Sequence, residues 1–178
     1  TLYIARHGKT MMNTLDRVQG WCDSPLTDEG INVARYLGYG LSDINFRTAY
    51  CSDLRRTRQT TQIILGAKGQ DDIPVIEMPG LREACFGSYE ADFNHVMWYN
   101  AALYLSFTSV EEMFKAILEK KMSYSHILDA IKLLDKMGMA EDFSQVEART
   151  QESLKEIAEK EAQHGDGNIL VVSHGMSI

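Results

Sequence analysis

At 178 residues, 44% of them apolar and 24% charged, the chain has the size and composition of one globular unit able to bury a sizeable core. A net charge of −7 argues against non-specific binding to nucleic acid or to an anionic membrane, while leaving room for a locally positive pocket. No apolar stretch is long enough to span a bilayer and no signal peptide is read. Cys22, Cys51 and Cys85 are odd in number and widely spaced, so free thiols in a reducing cytoplasm are expected.

The run Leu2-Tyr3-Ile4-Ala5 reads as a buried parallel strand, and Arg6-His7-Gly8 follows at its C-terminal end, where open α/β sheets place their ligands. Thr27 caps a helix with Asp28 and Glu29 in its first turn; it runs to about Leu41 with Ile31, Ala34, Leu37 and Leu41 inward. Residues 48–51 form a second strand. Ser52 then caps a helix through Leu65 that Gly66 stops, and 74–77 is a third strand. The β-α-β-α-β order marks a sheet with crossover helices. From Asp92 to Gly138 only helix signals appear. Ser109-x-x-Glu112 has capping-box spacing, and Ile127, Leu128, Ile131, Leu134 and Met137 repeat at helical spacing before Gly138 closes the run. Ser144-x-x-Glu147 opens a long charged helix to about Gln163, with Val146, Leu154, Ile157 and Ala158 toward the sheet. The last strand, Ile169-Leu170-Val171-Val172, delivers Ser173-His174-Gly175. The expected fold is α/β: a mostly parallel central sheet flanked by helices, residues 1–178 as one domain, and 92–140 a helical insert capping the strand ends. A βα unit would continue into a helix beyond Ile178, so the C-terminal part of the fold is expected to be missing.

Two histidines on matching strand ends, with the arginine-rich stretch Arg55-Arg56-Thr57-Arg58 between them, suggest a phosphate pocket around a nucleophilic imidazole. The boxes together resemble the histidine phosphatase superfamily, also called phosphoglycerate mutase-like. Arg6-His7-Gly8-Lys9-Thr10-Met11-Met12-Asn13 resembles its R-H-G-x-T-x-x-N signature, and Gln19-Gly20, Asp23 and Leu26-Thr27-x-x-Gly30 the segment after it. Ser52-x-Leu54-x-Arg56-Thr57-x-Gln59-Thr60 is similar to S-x-L-x-R-A-x-Q-T, and Leu81-Arg82-Glu83 with Gly87 and Glu90 to the L-x-E box. Ser173-His174-Gly175 matches the second histidine motif. Any one box is weak; five in register are strong.

A neutral imidazole can attack phosphorus and form a phosphohistidine, which splits hydrolysis into two displacements. The transferring group spreads charge over its oxygens, so positioning and electrostatics dominate. Arg6 and Arg56 offer planar forks for phosphate oxygens, and their charge disfavours protonation of His7. The resemblance implies that His174 donates to the phosphoryl oxygens. It also implies that Glu83 is the acid and then the base, a role that needs a raised pKa. Asn13 and Gln19 match phosphate-binding positions, with Thr10 counted beside them. Gly8 and Gly175 would let backbone approach the anion.

Blander readings compete. Arg55 and Arg58 read as a solvated face, Lys9 as a rim charge, and His95, His126 and His164 as exposed. The methionines, Met11 and Met12 included, read as packing. Glu83 could simply pair with Arg82, and Glu90 is the rival acid. His7, His174 and Glu83 could form a facial metal triad, but the arginines oppose a divalent cation, so no metal and no cofactor are expected. Residues 91–114 contain no Lys or Arg, where the resemblance places basic residues in the mutases. Phe86, Tyr89, Phe93, Trp98, Tyr99 and Tyr104 could line an apolar entrance, though packing within the insert suits most of them better. The expected function is therefore a phosphomonoester hydrolase acting through His7 on a small phosphorylated metabolite. A phosphoglycerate-type mutase is the alternative, a non-catalytic phospho-ligand-binding domain a weaker one, and a homodimer stays open.

Overall fold

The computed structural model describes all residues, 1–178. Four strands, β1 (Leu2–Arg6), β2 (Phe46–Cys51), β3 (Val75–Glu77) and β4 (Asn168–Ser173), form one sheet in the order β1-β4-β2-β3. Every pairing is parallel. Parallel neighbours need crossovers, which a short α1 (Met11–Thr14), then α2 (Asp28–Gly40), α3 (Arg55–Ala67) and α7 (Phe143–Ala162) supply. Helices α4 (Asn94–Tyr104), α5 (Val110–Leu118) and α6 (Tyr124–Leu134) fill the stretch from Asp92 to Ala140, which holds no strand.

Alternation along β2 and β4 explains why both faces of the sheet are covered. Ala49, Cys51, Leu170 and Val172 pack with Ala34 of α2 and Ile64 and Leu65 of α3. Their neighbours Tyr50, Ile169 and Val171 point the other way, onto Ile157 of α7 and Leu81. Each fully buried aliphatic side chain there contributes about 1.5–3 kcal/mol. The insert has its own apolar centre, with Met97, Ala101, Met113, Ile127 and Ile131 packed around Phe86 and Tyr89.

Several local expectations are corrected. β1 is an edge strand with one open face: Leu2 and Ile4 are 37% and 46% exposed. Ser52 does not cap α3, which starts after Leu54 without a side-chain cap and runs past Gly66 to Ala67. The long helix opens on a capping box of Asp142 with Gln145, not Ser144 with Glu147. Ala158 faces solvent, whereas Ser153 and Glu161 are buried. The Glu161 carboxylate tolerates this because Tyr50 Oη (2.7 Å) and Arg47 Nε (3.0 Å) donate to it. Helix α6 ends at Leu134, before Met137, because Asp135 accepts bonds from the amides of Met137, Met139 and Ala140. Met11, Met137 and Met139 are exposed, so packing does not explain those methionines.

Candidate active site

The two histidine motifs lie side by side because β1 and β4 pair in register, Arg6 opposite Ser173. The His7 amide donates to the Ser173 carbonyl at 3.1 Å, and the two imidazole centroids stand 5.1 Å apart. His7 is nearly buried, with Nδ1 2.8 Å from the Gly8 carbonyl oxygen. A carbonyl only accepts, so Nδ1 carries the proton and Nε2 keeps its lone pair. Burial is the main reason His7 falls from an ordinary 6.5 to about 4. The Gly8 bond pulls the other way, while the charges of Arg56 and Arg6 add to the lowering. The imidazole is therefore neutral at pH 7. A cleft of about 220 Å³ opens against it, lined by Arg6, His7, Lys9 and Asn13. Lys9 pairs with Glu29 at 2.6 Å on its rim.

Arg56 is 0% exposed, and its donors are engaged by the protein. Nη1 donates to the Cys22 carbonyl (2.9 Å) and to Asp23 Oδ1 (3.1 Å), and Nη2 to the Gly20 carbonyl (2.7 Å). Gln19 completes the set: with its amide nitrogen on Thr10 Oγ1 (2.6 Å), its oxygen accepts from Arg56 Nη1 and Nε at 3.2 Å each. Without an anion, the protein's own acceptors hold the Arg56 guanidinium in place. Arg6 is the exposed arginine of the site. His174 is also 0% exposed: Nδ1 lies 2.9 Å from Arg56 Nη2, and Nε2 sits 2.8 Å from Ser52 Oγ.

Glu83 is 7% exposed and does not pair with Arg82, which binds Asp53. Its carboxylate accepts from the amides of Ala84 (3.0 Å) and Met176 (3.1 Å), so it sits under the loop that carries His174. Glu90, the rival acid, is fully engaged elsewhere: the amides of Gly20, Trp21, Cys22 and Phe86 all donate to it at 2.9–3.1 Å. It organises the loop that holds Arg56. Gly20 must be glycine here, since a Cβ would lie 2.2 Å from the Ala84 carbonyl oxygen.

Gly8 is corrected in its reason. A Cβ there would lie 2.6 Å from the Gly30 carbonyl oxygen, so it serves strand-to-helix packing. Thr10 is buried and its hydroxyl caps α1 against Asn13, so it shapes the loop; Asn13 itself lines the cleft. Gly175 borders the site beside Arg6, where a Cβ would meet Nε at 3.4 Å. Sequence reasoning missed Arg149, which donates to the carbonyls of Gly80, Arg82 and Glu83 (2.7–2.9 Å) and clamps the Glu83 loop. It also missed the link of Ser52 to His174 and of Thr57 to Ser52. Arg149 carries no spacing signal; the box that holds Ser52 and Thr57 marks them without saying which side chain they meet. Of the six aromatics, Phe86, Tyr89 and Trp98 pack the insert, while Phe93, Tyr99 and Tyr104 are exposed. A cavity of about 680 Å³ between α4 and α6 includes Tyr89 and Tyr104 but none of the motif residues.

A parallel sheet thus brings two histidines, a buried arginine and a buried glutamate to one set of strand ends. The chain belongs to the histidine phosphatase superfamily (branch 1), whose family model matches residues 2–115. It is similar in structure to a phosphoglycerate mutase from Bacillus anthracis, with TM-score 0.93 and 38% identity, over 99% of this chain and 75% of that one. It also resembles the α-ribazole phosphatase from Shigella flexneri, with TM-score 0.70 and 27% identity, over 97% of this chain and 73% of that one. By sequence it is 38% identical over 89 residues to 2,3-bisphosphoglycerate-dependent phosphoglycerate mutase 2 of Gloeobacter violaceus. That match covers 50% of this chain and 41% of the relative, so it spans less than half of the relative's length. No helix is long and apolar enough to cross a membrane.

Proposed function

We propose that the chain carries the phosphohistidine site of a metal-independent phosphomonoester hydrolase. The observation that carries this reading is the neutral His7, held by the Gly8 carbonyl with its Nε2 lone pair free, in a cleft with Arg6, Lys9 and Asn13. Nε2 attacks the phosphorus, the bond from phosphorus to the leaving oxygen breaks, and Glu83 supplies a proton to that oxygen. The same carboxylate then takes a proton from water, which displaces the phosphoryl group from His7 as inorganic phosphate. Arg6 and the Asn13 amide neutralise and orient the phosphoryl oxygens. The absence of Lys and Arg from 91–114 supports a hydrolase, because a mutase must retain a doubly charged substrate through turnover. The mutase names of two similar proteins favour the second reading, interconversion of phosphoglycerates by the same His7 chemistry. The three free thiols support a cytoplasmic setting.

Hydrolysis of an aryl phosphate by the full chain in excess chelator, compared with His7→Ala, tests the hydrolase. Turnover that survives the chelator and vanishes in the variant is expected. Turnover unaffected by the substitution overturns the assignment, and phosphoglycerate interconversion without hydrolysis selects the mutase.

A further inference from the structure

The Gly8 carbonyl decides which nitrogen of His7 faces the cleft, because it takes the Nδ1 proton at 2.8 Å. Glycine has no Cβ to restrain its own backbone, so neighbours must hold that carbonyl in line. Three do so. The Gly30 backbone lies against Gly8, where a Cβ would come within 2.6 Å of the Gly30 carbonyl oxygen. The next carbonyl along, that of Lys9, accepts from the Thr27 amide at 2.9 Å. The third neighbour is Thr60, 1% exposed, in the second turn of α3. Its Oγ1 accepts the Gly8 amide proton at 3.0 Å and donates its own to the Arg56 carbonyl at 2.7 Å. An amide only donates and a carbonyl only accepts, so this link has one direction and uses the single proton of the hydroxyl. Gly8 is buried, and a buried amide deprived of its acceptor turns toward another. That turn changes the Gly8 φ, and the carbonyl moves off His7 Nδ1 with it.

We propose that Thr60 is a positioning residue for His7: its hydroxyl pins the Gly8 amide and thereby holds the Gly8 carbonyl where it keeps the imidazole proton on Nδ1. Helix α3 then does two things at the strand end. It carries Arg56, and four residues on, one turn later, it carries the hydroxyl that sets the tautomer of the neighbouring histidine. The kinetic consequence rests on the phosphoryl-transfer reading above. The Thr60 anchor and the His7 tautomer can be read without turnover, so the two fail separately.

Amide exchange and imidazole ¹⁵N spectra of the full chain at neutral pH test the proposal. In the wild type the Gly8 amide is expected to exchange about a hundredfold or more slower than an unprotected amide. His7 should be protonated on Nδ1 and bare on Nε2. Thr60→Val keeps the branched shape and deletes the hydroxyl. It is expected to speed Gly8 exchange about tenfold or more and to mix the His7 tautomers. Aryl phosphate hydrolysis should lose about tenfold or more in kcat with KM little changed. Thr60→Ser keeps the hydroxyl and is expected to keep the wild-type shifts and kcat. A fast-exchanging Gly8 amide in the wild type overturns the proposal even if Thr60→Val fails to fold. A Thr60→Val protein that melts earlier yet keeps the wild-type His7 nitrogen shifts overturns it as well, since a merely structural hydroxyl would do that. Absence of turnover in the wild type strikes the hydrolase reading, and the spectra still decide the role of Thr60.

Discussion

Replacing His7 by Asn should abolish a specific acid sensitivity of the fold. In the wild type the imidazole is lowered from 6.5 to about 4, chiefly by burial. As pH falls below 6.5 the unfolded chain takes a proton at this residue and the folded chain does not. Its contribution to stability is therefore fully present above 6.5, declines as pH falls through the window down to about 4, and is flat below it. The gap of about 2.5 pKa units corresponds to about 3 kcal/mol at 1.36 kcal/mol per unit. Asn keeps an N–H for the Gly8 carbonyl but does not titrate. Urea unfolding of both proteins at about pH 7.5, 5.5 and 4 isolates the effect, since the carboxylates titrate alike in each. With a slope near 2 kcal/mol per molar, the wild-type midpoint should fall relative to the variant by about 1.5 M across the series. Parallel curves would refute the reasoning, because they require His7 to titrate equally in the folded and unfolded chains.

The two candidate carboxylates should part ways under substitution. Glu83→Gln is expected to cut aryl phosphate turnover by about a hundredfold or more with the melting temperature nearly unchanged. Glu90→Ala should destabilise the fold by about 3 kcal/mol or more, because four backbone amides lose their acceptor; the reverse pattern in calorimetry and kinetics would exchange their roles. Gly8→Ala should lower stability by about 1–3 kcal/mol, since its Cβ would overlap the Gly30 carbonyl oxygen and backbone must move. An unchanged melting temperature for that variant would return Gly8 to the role of a ligand-approach residue.

The sheet was legible because its strands are short apolar runs with turn residues at their ends, and the matching ends of the His7 and His174 strands stood out, though not that the two strands pair directly. The helix ends were less legible. Asp135 stops α6 with bonds to amides that only the fold brings to it, and the Ser52 hydroxyl is drawn away from α3 by a histidine 122 residues on. The site residues could be picked out one by one, but not how they are engaged. Nothing in the spacing of Arg56 says that Gly20, Cys22, Asp23 and His174 will surround it, because the first three come from a loop that Glu90 folds into place and His174 follows a strand 118 residues on. Arg149 was invisible for the same reason: on a charged helix it looks like any solvated cation until the carbonyls of residues 80–83 are set beside it.

The most direct test of the central claim is to trap the covalent intermediate. The full chain would be mixed with a phosphomonoester, quenched in alkali to preserve a phosphoramidate, and mapped by mass spectrometry. The account predicts one phosphoryl group, acid-labile and base-stable, on the peptide bearing His7, absent from His7→Ala and accumulating in Glu83→Gln. A phosphoryl group on His174, on Ser52 or on a carboxylate, or turnover with no covalent intermediate at all, would contradict it.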